Sequence, residues 1–228
     1  MRSLVLWGHS LGDYQKMFGL SPEDLTANIV EVASGPTAFN AQMLAEGHQV
    51  ISIDEMYGLP EANLKEHMTS TFNKHLEAIK EYSDVFAWGT YGSLEKLAAH
   101  RRKGMEIFLE DFPKGKADGR YIAATPNKLP FPDFKFDIAV ISHHLFAESD
   151  LNSIQDDIDV IKECTRIAKE IRVFPLVDNK AQLSPTVGPV MLALQQEELG
   201  VEIKEVPYKL QGKANAMMRV WALACSLR

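Results

Sequence analysis

Apolar positions along this chain fall into short β-branched runs separated by longer amphipathic stretches. Residues 28–33 (NIVEVA) and 48–53 (HQVISI) read as strands, the second by its alternation. Between them residues 38–46 are good helix formers, and Gly47 stops the helix. Ser21-Pro22-Glu23-Asp24 supplies a cap, a first-turn proline and acids, so a short helix is expected to close before strand one. A long segment, about 58–119, carries two helical patterns, 61–82 and 93–112, around the turn DVFAWGTYGS. Residues 120–124 and 137–141 are the next strands. Ser149 and Asp150 cap a helix running to about Lys169, and EIRVFPLV is strand five. Ser184-Pro185 opens a further helix that Gly200 ends. VEIKEVPY and MMRVWALAC close the chain as a strand pair compatible with an antiparallel hairpin.

Strands alternating with helices predict an α/β fold: a doubly wound, mostly parallel seven-stranded sheet with a C-terminal antiparallel strand. The chain reads as one domain, with residues 1–27 as a helical cap and 58–119 as a helical insertion placed to cover a substrate. Ligands of such sheets bind outside the carboxyl ends of the strands, where strand order reverses.

Composition narrows the function. A net charge of -7 and a pI near 5.5 argue against broad electrostatic binding to nucleic acid. The basic run HRRK (100–103) reads as a solvated helix face. No run approaches the roughly 18–20 apolar residues that span a bilayer, and the N-terminal stretch is a poor signal peptide. Cys164 and Cys225 make neither a metal spacing nor a disulfide framework, so both read as reduced core residues and the cytoplasm is the default location.

The turn after strand one, Ala33-Ser34-Gly35-Pro36-Thr37-Ala38, keeps one glycine of the dinucleotide fingerprint. Pro36 speaks against a diphosphate, which is held by backbone N–H groups at a helix N-terminus. Glu31, two residues before the turn, would repel a diphosphate and attract a cationic amino-acid ligand. Asp54 ends strand two, where a carboxylate accepts both ribose hydroxyls of a dinucleotide or of any other adenosine-bearing cofactor equally.

The stretch EVASGPTAFNAQMLAEGHQVISID, followed by RYIAATPNKLPFPDFKFDIAVISHHLF, resembles the class I S-adenosylmethionine-dependent methyltransferases. Their first motif, an acid and then glycines at alternate positions, is matched by Glu31, Ala33, Gly35 and Thr37. Their ribose-binding acid is matched by Asp54. Their third motif places an acid before an LPF segment; here that segment is Leu129-Pro130-Phe131, and Thr125 stands at the acid's position. Phe136-Asp137 and the strand after it match the fourth. GHSLGDYQKMFGLSPEDL, ahead of strand one, resembles a bacterial subgroup of small methyltransferases. The resemblance implies S-adenosylmethionine as cofactor, held by Tyr14, Glu31, Ala33, Gly35, Asp54, Glu55, Thr125, Pro126 and Ser142; the acidic charge balance favours a small-molecule acceptor over nucleic acid.

Methyl transfer from a sulfonium is an in-line displacement that needs alignment and, for hydroxyl or ammonium nucleophiles, a proton acceptor. His143, following strand four at the methionine end, is the candidate base. A continuing pleat would point His144 elsewhere. Tyr14, in a short N-terminal helix, is a candidate to bond the methionine carboxylate. Trp88 and Tyr91 are candidate substrate walls. Arg172, alone in an apolar strand, pairs either with a structural acid or with an anionic substrate. No metal is expected. The rival readings are an NAD(P)-linked oxidoreductase and a non-catalytic module on the same fold.

Overall fold

The computed structural model describes residues 5–81, 86–146, 154–178, 181–210 and 214–223. Seven strands form one sheet: β1 (Ile29–Val32), β2 (Val50–Ile53), β3 (Tyr121–Ile122), β4 (Phe136–Ser142), β5 (Ala168–Phe174), β6 (Leu199–Glu205) and β7 (Ala216–Ala222). Their order is β3-β2-β1-β4-β5-β7-β6. The first five are mutually parallel, and β7 runs antiparallel to both β5 and β6. This is the doubly wound, mostly parallel sheet that the alternation of patterns predicts.

The central strands are apolar on both faces, as a sheet covered by helices on both sides requires. Ile29, Ile138, Val140 and Met217 face a cluster shared with α1 (Leu11–Phe18), α2 (Phe39–Ala45), α3 (Glu61–Glu81) and α4 (Leu94–Ala117). Val30, Val32, Ala139, Ile141, Met218 and Val220 face the opposite cluster, shared with α5 (Ile154–Ile167) and α6 (Val187–Gln196). α1 is opened by a capping box in which Ser10 and Asp13 satisfy each other's backbone N–H. None of the described helices is long and apolar enough to cross a membrane.

Several boundaries differ from expectation. The helix expected at Ser21 is a single 3-10 turn, Asp24–Thr26. β3 is only two residues long, because residues 123–127 leave the sheet. α5 stops at Ile167 and β5 follows directly; β5 ends at Phe174, where Pro175 has no N–H to extend the ladder. α6 ends at Gln196, and Glu198, at φ 60°, takes the left-handed turn expected of Gly200, which instead lies in β6. α4 continues through Pro113 to Ala117. Ser149, Asp150 and Cys225 lie outside the described residues, and Cys164 is buried.

Candidate functional site

β1 has β2 on one side and β4 on the other, so strand order reverses there. The chain leaving the carboxyl ends of β1 to β4 lines a cleft of about 530 Å³, a size that suits a cofactor or drug-sized ligand. Ala33 and Gly35 come from the loop after β1, Asp54 and Glu55 from that after β2. Thr125 and Pro126 follow β3, and Ser142 and His143 end β4. Topology thus brings these eight sequence candidates to one place.

From Ser34 to Ala38 every backbone N–H is already accounted for. Ser34 donates to the Ile53 carbonyl at 3.1 Å, Thr37 to Gly35 at 3.2 Å and Ala38 to His9 at 2.8 Å. Gly35 donates to Asp54 Oδ2 at 2.8 Å, and Pro36 has no N–H. No donor from Ser34 to Ala38 remains to cradle a diphosphate. Gly35 sits at φ 60°, a conformation that only glycine adopts without cost. Ala33 sits at φ 50° beside it. Non-glycine residues in this region persist where surrounding structure holds them, commonly at ligand sites. The other Asp54 oxygen, Oδ1, accepts from the Met56 N–H at 2.9 Å, so the carboxylate is fixed in orientation while keeping free lone pairs.

Glu31 and Tyr14 do not line the cleft. Glu31 is fully buried and accepts from the Tyr14 hydroxyl, from Thr37 Oγ1 at 2.8 Å and from Ser52 Oγ at 2.6 Å. Burial pushes its carboxyl up to about 7 against those three hydrogen bonds, with the charge of Asp54 adding to the rise. The expectation that Glu31 and Tyr14 touch a ligand's amino-acid tail is therefore corrected. They tie α1, the β1 turn and β2 together behind the cleft, and Thr37 serves through its hydroxyl.

The cleft's far wall was missed from sequence. Trp7, His9, His67 and His75 line it together with His143 and His144, so five of the seven histidines meet there. Gly8, at φ 94°, lets the N-terminal segment lie main chain to main chain on α4: an added Cβ would stand 1.9 Å from the Arg101 carbonyl oxygen. That contact presents Trp7 and His9 to the cleft. His67 and His75 come from α3 and flank Trp7, with ring centroids 5.8 and 5.9 Å from it. His9 stacks on His143 at 4.9 Å and 24°. His143 itself takes φ 56°, so the pleat ends there and His144 turns back into the cleft, contrary to expectation. Burial and then Arg101 pull the His143 imidazole down to about 3, against Asp13. Burial, Arg101 and His143 likewise hold His9 well below its ordinary value. Both are neutral at pH 7. The described lining carries Asp54, Glu55, Asp156 and Asp159 and no lysine or arginine.

Two other expectations are corrected, and of the two alternatives for Arg172 the structural acid is the one found. Trp88 stacks on Phe86 at 5.4 Å, and neither it nor Tyr91 lines the cleft. Tyr91 donates to Asp13 and lies under the Arg101 guanidinium. Arg172 pairs with Asp24 at 2.9 Å and with Glu170, and donates to the Phe18 carbonyl at 3.1 Å, away from the cleft. HRRK is not a wholly solvated face: Arg101 is buried, paired with Asp13 and 2.7 Å from the Tyr208 hydroxyl. A linear pattern cannot reveal an acid 88 positions away. Among the described residues no group of three or more histidine, cysteine or acidic side chains is placed to hold a metal ion.

No family model matches the chain. It is similar to the uncharacterised protein MJ0045 of Methanocaldococcus jannaschii, 25% identical over 221 residues and covering 96% of both chains. Among solved structures it resembles a TehB-like SAM-dependent methyltransferase from Corynebacterium glutamicum, at TM-score 0.49, 11% identity, 92% of this chain and 86% of that one. A SAM-dependent methyltransferase from Aquifex aeolicus aligns at 0.42 and 16%, over 92% of both chains. PH1948 of Pyrococcus horikoshii, described as a candidate RNA methyltransferase, aligns at 0.45 and 9%, over 88% and 78%. At these scores the fold is read from the strand order itself, β3-β2-β1-β4-β5-β7-β6, which is that of the Rossmann-like methyltransferase fold.

Proposed function

We propose that this protein binds S-adenosylmethionine in the cleft and transfers its methyl group to a small molecule. Fold alone does not decide function; the observation that carries the reading is the β1 turn. Its N–H groups are spent on Ile53, Asp54, Gly35 and His9, which disfavours a dinucleotide diphosphate while leaving room for an adenosine. Asp54 would hold the ribose hydroxyls, the backbone at Ala33 and Gly35 would pass beneath the amino-acid tail, and Thr125 and Pro126 would meet the adenine. Ser142 and His143 would face the methionine end. Bound there, the cofactor supplies an electrophilic methyl on a cationic sulfur. The chain's own part is to hold that cation among acids, exclude water and accept a proton at His143. The absence of lysine and arginine from the described lining supports a small molecule over a polyanion. S-adenosylhomocysteine at millimolar concentration is expected to stabilise the fold by roughly 4 kcal/mol for a micromolar site. No thermal shift with it, or a shift with NADH instead, overturns the reading.

A further inference from the structure

The pair His9 and His143 has an unused capacity. His9 is only 4% exposed, yet it lines the cleft, and neither of its ring nitrogens has a hydrogen-bond partner among the described residues. These nitrogens are not sealed from the cleft, so a ligand there can reach them and complete their hydrogen bonding. His143 gives Nδ1 to Ser142 Oγ at 2.7 Å, and its Nε2 is likewise unengaged among the described residues. The two rings stack, and both residues line the cleft. A void of about 10 Å³ is lined by His9, His143 and Arg101 together. Trp7 lines the same cleft, with His67 tilted and His75 T-shaped against it.

We propose that His9 is a catalytic residue, forming with His143 a dyad that receives the hydroxyl or ring N–H of an uncharged, planar acceptor lying against Trp7. This rests on the methyl-transfer reading and gives it a substrate class. An anionic acceptor has no cationic partner in the described lining and meets four carboxylates there. A neutral imidazole nitrogen, in contrast, accepts a hydrogen bond from a hydroxyl without a charge penalty. In the transfer, the acceptor's lone pair forms the bond to the methyl carbon, and the C–S bonding pair returns to sulfur. The acceptor's proton passes to an imidazole nitrogen of the dyad. The positive charge leaves sulfur as it appears on the ring, so the acidic cleft holds one cation throughout.

The test uses the full chain with ¹³C-labelled histidine, titrated with phenol and, separately, with benzoate, each with and without S-adenosylhomocysteine. Phenol is expected to shift the His9 and His143 ring signals, and benzoate to bind at least roughly tenfold more weakly. His9→Phe keeps the stack and removes the nitrogens; it is expected to weaken phenol binding about tenfold, the loss of one hydrogen bond. Its thermal shift with S-adenosylhomocysteine is expected to stay unchanged. Benzoate binding as tightly as phenol, phenol leaving the His9 signals unmoved, or unaltered phenol affinity in a folded His9→Phe protein each overturn the proposal. If S-adenosylhomocysteine fails to bind, the cofactor reading falls separately, and the phenol titration of the unliganded chain still decides the role of His9.

Discussion

Replacing Arg101 with methionine removes a guanidinium that is 1% exposed and leaves Asp13, 4% exposed, with its charge uncompensated by arginine. Arg101 donates to the Asp13 carboxylate, to Tyr208 at 2.7 Å and to Tyr91 at 3.5 Å, so three elements lose a shared anchor. Breaking a buried pair by removing one partner costs about 3–5 kcal/mol. Asp13 keeps the Ser10 N–H at 2.8 Å, the Ser10 hydroxyl at 2.9 Å and the Tyr91 hydroxyl, which places the expected loss near the lower end, about 3 kcal/mol. For a chain of this length each kcal/mol moves Tm by roughly 2–4 °C, so the midpoint is expected to fall by about 6–12 °C. Urea unfolding followed by circular dichroism is the assay, and the slope is expected to stay constant. The double variant Asp13→Asn with Arg101→Met removes both charges and is expected to recover part of the loss, since contacting residues are not additive. The same substitution withdraws a charge that depresses His143, whose imidazole is expected to titrate at higher pH by NMR. A single variant within about 1 kcal/mol of the parent, or a double variant no better than the single, refutes the reasoning.

Other outcomes follow from the same geometry. Asp54→Asn is expected to weaken S-adenosylhomocysteine binding by about 10–100-fold in calorimetry, the worth of charge-assisted hydrogen bonds to ribose. Gly35→Ala places a Cβ 3.6 Å from the Trp7 ring, an ordinary contact, so its cost is the backbone strain at φ 60°. That is about 1–2 kcal/mol by denaturation. Glu31 is raised to about 7 in the folded chain from about 4.5 unfolded, so its contribution is full below pH 4.5 and is lost as pH rises through 7. The loss amounts to roughly 3 kcal/mol, and Glu31→Gln is expected to remove that component from a stability profile between pH 5 and 8. His143 has the opposite sign: its folded value lies near 3, below 6.5 unfolded. Its contribution is present above pH 6.5 and falls away toward pH 3, and His143→Gln is expected to flatten that acid limb.

The sheet was legible because its strands carry the signal locally: β-branched runs at Ile29–Val32 and Val50–Ile53 need no partner to be seen. Gly35 and Asp54 were legible for the same reason, since a turn and a strand-end acid are local patterns. Glu31 was visible as an acid in a strand, but its neighbours Tyr14 and Ser52 come from other elements, so its burial behind the cleft was hidden. Arg101 and Arg172 could be named as charges needing partners or solvent, while only the fold supplies Asp13 and Asp24. His9 lies 134 positions from His143, and no periodicity joins them. The one local hint was Gly8 just before it, a glycine whose necessity appears only when α4 is laid against it.

That glycine contact sets how the site can diversify. Backbone touches backbone at Gly8 and Gly104 with no side chain between them, so the spacing cannot be adjusted by exchanging one residue for a larger or smaller one. Trp7 and His9 therefore inherit their position from α4, and any drift of that helix carries them with it. His67 and His75 stand on α3, outside that backbone contact, although His75 Nδ1 lies 2.6 Å from the Val5 carbonyl oxygen. Selection for a different acceptor, natural or in the laboratory, would find its variation on α3 and leave Gly8 and Gly104 untouched.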